Sequence, residues 1–116
     1  MNWNRDFMNE LTPQQIAVLE RLISQGFIPV AFPLYASVVG VRKGSCAALL
    51  DPIPANGFRL YGEPCVLLEG NLTVRITENG KSWFVWKKQR LEATAERVSE
   101  LDRFVDELKI LLEPQV

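Results

Sequence analysis

The stretch Leu72-Thr73-Val74-Arg75-Ile76-Thr77-Glu78-Asn79-Gly80-Lys81-Ser82-Trp83-Phe84-Val85-Trp86-Lys87-Lys88 decides the fold. Asn-Gly between two runs rich in β-branched and aromatic residues is the strongest short-range hairpin signal. Both residues tolerate the positive φ that a two-residue turn requires. Such a turn fixes register. Glu78 pairs with Lys81, Thr77 with Ser82, Ile76 with Trp83, Arg75 with Phe84, Val74 with Val85 and Thr73 with Trp86.

Side chains alternate across a strand, so the register also sorts them into faces. One face carries Leu72, Val74, Ile76, Trp83 and Val85 and reads as core. The opposite face carries Phe84 and Trp86 beside Thr73, Arg75 and Lys88. If Gly70-Asn71 makes a second two-residue turn, Val66 falls opposite Arg75 and Leu68 opposite Thr73, on that same second face. Phe84, Trp86, Arg75, Lys88, Val66 and Leu68 therefore form the candidate interaction surface. So much apolar area beside charge calls for a cover. The candidates are the N-terminal segment with Trp3 and Phe7, one of the helices, a second copy of the chain, or a ligand.

Upstream, strand chemistry continues in short pieces. Pro29 and Pro33 suit residues 27–34 to an extended edge, since proline supplies no ladder donor. Strands are predicted over 36–41, 46–50, 58–61 and 65–68. Arg42-Lys43-Gly44, the proline-rich 51–57 and Gly62-Glu63-Pro64 are the breaks between them. Strands joined by such short connections run antiparallel, giving a meander of five to six strands.

Helices flank the meander. Thr12 is a good N-cap, Pro13 suits the first helical position, and Gln15 completes a T-x-x-Q capping box, with Leu11 and Ile16 placed as a hydrophobic staple. The apolar stripe Ile16, Leu19, Leu22, Ile23 then runs to the stop at Gly26, predicting a helix over about 13–25. A second helix is expected over about 90–112, with Leu91, Val98, Leu101, Val105, Leu108 and Leu112 on a heptad widened by Phe104 and Leu111. Thr94 interrupts it. That breadth suits a helix lying on a sheet better than a two-position coiled-coil seam. The fold class is α+β: one domain over 1–116, a two-layer sandwich of meander and helices.

Composition narrows function. The chain has 116 residues, 47% hydrophobic and 23% charged, a net charge of −1 and no histidine. Without histidine there is no Ser-His or Cys-His nucleophilic pair, no imidazole acid–base chemistry and no imidazole metal ligand. Cys46 and Cys65 lack C-x-x-C spacing and sit among small apolar neighbours, which reads as two buried, reduced thiols. Neither a metal nor a cofactor is expected. Gly40-Val41-Arg42-Lys43-Gly44-Ser45 lacks the phosphate-loop order and precedes a strand instead of a helix. Asp51, Glu63 and Glu69 are placed as solvated turn residues, and nothing local desolvates Lys43, Lys87 or Lys88.

Charge is divided, although its sum is close to zero. Residues 40–90 carry eight basic and four acidic side chains, while 91–116 carry three basic and seven acidic. The two halves either neutralise one another within the fold or present opposed surfaces. Basic residues among aromatics also describe a single-stranded nucleic-acid platform, but the slightly acidic whole and the lack of an RNP-like clamp argue against it. No window reaches the length of a membrane span, and the first residues lack a signal-peptide core, so a cytoplasmic location is expected. The functional expectation is a non-catalytic protein-interaction module, homodimeric, of adaptor, chaperone-like or regulatory type. The alternative is a small-molecule-binding domain with its pocket between the sheet and the C-terminal helix.

Overall fold

Thr12 opens the first helix as its residue type dictates. Its hydroxyl accepts the Gln15 N–H at 3.2 Å, and Gln15 Oε1 accepts the Thr12 N–H at 2.9 Å, closing the capping box. The computed structural model describes residues 11–32, 37–53 and 57–113. Trp3 and Phe7 lie outside the described residues. Helix α1 spans Pro13–Ser24 and buries Val18, Leu19 and Leu22. It stops where Gly26 turns left-handed at φ 93° and the Phe27 N–H returns to the Leu22 carbonyl at 3.0 Å. The Gln15 amide does a second job. It donates to the Ile53 and Gly57 carbonyls at 2.7 and 3.3 Å, tying the helix start to the sheet.

The strands form two antiparallel sheets. The first has four strands in sequence order: β1 (Ile28–Val30), β2 (Val39–Lys43), β3 (Cys46–Ile53) and β4 (Gly57–Val66). The second has three, also in order: β5 (Val74–Glu78), β6 (Lys81–Trp86) and β7 (Gln89–Glu92). Helix α2 follows over Ala95–Leu112. The α+β class holds, but the expected single meander of five to six strands is divided and has a further strand.

Three local corrections produce that difference. The segments expected as separate strands around Gly62-Glu63-Pro64 are one strand, β4. Gly62 takes φ 70° and the register against β3 shifts between Ala47 and Leu49. That irregularity absorbs a glycine and a proline that would otherwise end pairing. The turn before β5 is Glu69-Gly70, at φ 51° and 78°, bridging Leu68 to Asn71, so it lies one residue earlier than expected. Finally, residues 90–92 belong to β7, and α2 begins only at Ala95. Thr94, an interruption in the heptad, is the N-cap, accepting the Arg97 N–H at 3.3 Å.

One face of the four-stranded sheet takes both helices. Val39, Val41, Cys46, Ala48, Leu50, Phe58 and Val66 point into a buried cluster with Leu19 and Leu22 of α1 and Leu101, Phe104 and Leu108 of α2. Phe27 stacks obliquely on Phe104, ring centres 5.5 Å apart. Each such apolar side chain contributes about 1.5–3 kcal/mol when fully removed from water. The acidic α2 lies against the basic turn between β2 and β3. Lys43 pairs with Glu107 at 2.6 Å, and Glu100 accepts the Ser45 N–H at 3.4 Å. At that contact one lysine of the basic half meets one carboxylate of the acidic helix.

Candidate interaction surface

The Asn79-Gly80 turn has both residues at positive φ, 54° and 77°. It sets the expected register from Glu78↔Lys81 through Val74↔Val85. Thr73 leaves the ladder: its hydroxyl donates to the Val66 carbonyl at 2.7 Å, and its N–H approaches Cys65 Sγ at 3.5 Å. That attachment holds the second sheet to the end of β4.

The face carrying Phe84 is covered by one of the chain's own helices, one of the covers expected for it, while Val74 of the face expected as core is exposed. Phe84 is wholly buried, in one cluster with Leu101, Phe104 and Leu108, and Leu91 of β7 stands opposite it in the ladder. Val74, expected in the core, is 68% exposed. On its face Ile76, Trp83 and Val85 are half-buried. The physical reason lies in β7. Reading Leu91 as helix removed it from the row beside Phe84 and left that face looking the poorer in apolar residues. Alternation identifies two faces; which one turns inward depends on what packs there.

The candidate residues are accordingly dispersed. Phe84 and Val66 are buried by the chain's own elements. Leu68 is half-buried at its single bridge with Asn71, and the register brings neither Val66 opposite Arg75 nor Leu68 opposite Thr73. Trp86 is half-buried with Lys87 Nζ 4.8 Å from its ring centre, while Lys88 is exposed in the β6–β7 turn. Arg75 is exposed and lies 6.0 Å over the Phe84 ring. On the outer face, Arg90 sits 5.9 Å over Trp83 and pairs with Glu78 at 3.0 Å, so one ion pair spans the central strand from β7 to β5. Val74, Ile76 and Val85 surround that bridge on the same face.

Other chemistry-bearing groups are occupied or remote. Arg59 grips Asp51 through Nε and Nη2 at 3.1 and 3.0 Å, and Glu69 is in the tight turn. Lys43 is shared between Glu107 and the face of Phe27. Cys46 and Cys65 are free and buried. They stand on paired strands, yet Cys46 is level with Val66 and Cys65 with Ala47, so the thiols face opposite sides of the sheet and a bridge would require the strands to move. Burial, with Glu100 and Cys65 nearby, pushes the Cys46 thiol up to about 11. A cleft of about 160 Å³ on the outer side of the four-stranded sheet is lined by Leu49, Tyr61, Glu63, Cys65, Leu72 and Thr73. A wider depression of about 480 Å³ is lined by α2 alone, at Ala95, Glu96, Ser99, Glu100 and Arg103. Among the described residues, no three Cys, Asp or Glu side chains are grouped to hold a metal ion, and no helix is long and apolar enough to cross a membrane. No protein-family model, curated protein or solved structure matches this chain.

Proposed function

We propose that the chain is a non-catalytic protein-interaction module, an adaptor or regulatory subunit that works as a homodimer and uses the β5–β7 sheet as its contact surface. The observation that supports this most is the outer face of that sheet. Val74 is 68% exposed beside Ile76, Trp83 and Val85, on the side turned away from the buried cluster. Apolar side chains at the surface beside charged ones are a common make-up of a protein contact surface. A binding role also agrees with a chain that has no histidine and whose Asp51 and Lys43 are tied up in ion pairs. Two buried free thiols agree with a reducing compartment, the cytoplasm.

Light scattering at micromolar concentration tests the reading. The expected mass is twice the 13.2 kDa of the chain. Val74→Asp should shift the population toward the single chain, and at dilutions where the wild type is also a single chain the two should melt together, because Val74 contributes little to the interior. A wild-type mass of one chain at every concentration contradicts the homodimer.

A further inference from the structure

The cleft on the outer side of the four-stranded sheet opens where β4 bows away from β3. Ala47 pairs with Cys65 and Leu49 with Tyr61, so Ala48 alone faces Gly62, Glu63 and Pro64. A bulge of this kind re-aims the side chains it carries. Gly62 turns left-handed at φ 70°, and Pro64 confines the residue before it to extended backbone, which holds Glu63 at the bend. Leu72 and Thr73 form the far wall, brought there by the Thr73 hydroxyl on the Val66 carbonyl and the Thr73 N–H near Cys65 Sγ. The cleft measures about 160 Å³, and a cavity of about 150 Å³ suffices for a molecule the size of benzene.

Its floor and its rim differ in chemistry. Leu49, Cys65 and Thr73 are buried and make the floor, where the thiol and the hydroxyl are already engaged as described. Tyr61 and Glu63 are exposed and make the rim. Among the described residues the Glu63 carboxylate has neither an ion pair nor a hydrogen bond. Arg59, on the same strand, is committed to Asp51. The cleft therefore sets dry apolar surface beside one unpaired negative charge. An anion would meet that charge as a repulsive element, and one carboxylate is too few donors for a metal ion. The complement is an apolar body with a single positive centre.

We propose that this cleft binds a small organic cation: a primary ammonium on the Glu63 carboxylate, carried by an apolar body of about benzene size that rests against Leu49, Leu72 and Cys65. The apolar floor supplies the burial, and Glu63 selects the charge. The space between the four-stranded sheet and α2, where a pocket was the alternative expectation, is filled by the buried cluster. The ligand site lies on the sheet's other side. It is independent of the homodimer, whose proposed contact surface is the second sheet.

Titration of the nitrogen-15-labelled protein with benzylammonium, followed by amide chemical shifts, tests the site. The amides of Leu49, Glu63, Cys65 and Thr73 should shift together along one saturable curve. Glu63→Gln keeps the side chain's shape and removes its charge. Because Glu63 has no partner to lose, the variant should melt with the wild type and bind benzylammonium at least about threefold more weakly. Benzyl alcohol, the same body without the charge, should bind the wild type more weakly by a similar factor. The cation site is overturned if those amides show no saturable shift. It is equally overturned if Glu63→Gln binds benzylammonium undiminished, or if benzyl alcohol binds the wild type as well as benzylammonium does. Should Glu63→Gln not fold, benzyl alcohol on the wild type decides alone.

Discussion

Phe84 and Val74 stand one residue out of phase on neighbouring strands, and that phase carries their whole difference in burial. Phe84 has no exposed surface, so Phe84→Ala should cost about 3–5 kcal/mol in urea-induced unfolding. Val74→Ala should stay within about 0.5 kcal/mol, as surface substitutions do. The reverse ranking would mean that the sheet presents its other face to the helices. Cys46 makes a second prediction at this scale. Its thiol is pushed from 9.0 to about 11 by burial, then by Glu100 and Cys65. The unfolded thiol ionises first as pH rises, so the stabilising effect is complete below about 9 and is lost as pH climbs toward 11. Stability measured over that interval should fall, and Cys46→Ala should make the fall shallower. An unchanged slope in the variant would mean that the folded thiol ionises normally.

Elements were legible where a residue type forces the backbone. Thr12, Pro13, Gln15 and Gly26 bound α1 almost to the residue, and Asn79-Gly80 sets the hairpin register. The misses came where a residue had two roles. Thr94 caps α2 two residues after β7 ends at Glu92, and a heptad count that treats it as an interruption carries the helix back through a strand. The β6–β7 turn is Lys87-Lys88, with Lys87 at φ 55°, so no glycine or asparagine announces it. The turn at Glu69-Gly70 was legible but one residue out of place, because glutamate rarely takes the first left-handed position and Gly70-Asn71 reads as the turn instead. Thr94→Ala should cost about 1 kcal/mol, the usual loss for an N-cap, when unfolding is followed by circular dichroism. A helix running on from residue 90 would make Thr94 an interior site, where alanine is the better helix former and the substitution would stabilise instead.

At the scale of the whole molecule, the near-zero net charge is the sum of a basic sheet half and an acidic helix, and the Lys43–Glu107 and Glu100–Ser45 contacts join them inside one fold. The ion pair is half-exposed, so it contributes about 1 kcal/mol at most and organises the fold less than the buried cluster does. Once the helices cover one side of the four-stranded sheet and Phe84 joins the same cluster, Val74 on the outer side of the second sheet is left exposed. Of the surface residues expected from sequence, Phe84 and Val66 are buried in the chain's own cluster instead. Periodicity assigns residues to faces, and only the full set of neighbours orients them. The most direct test of the homodimer is the melting temperature measured over about a hundredfold range of protein concentration, since association with a second copy adds to stability by mass action. A midpoint that rises steadily with concentration is the predicted result, and one that stays fixed over the whole range would contradict it.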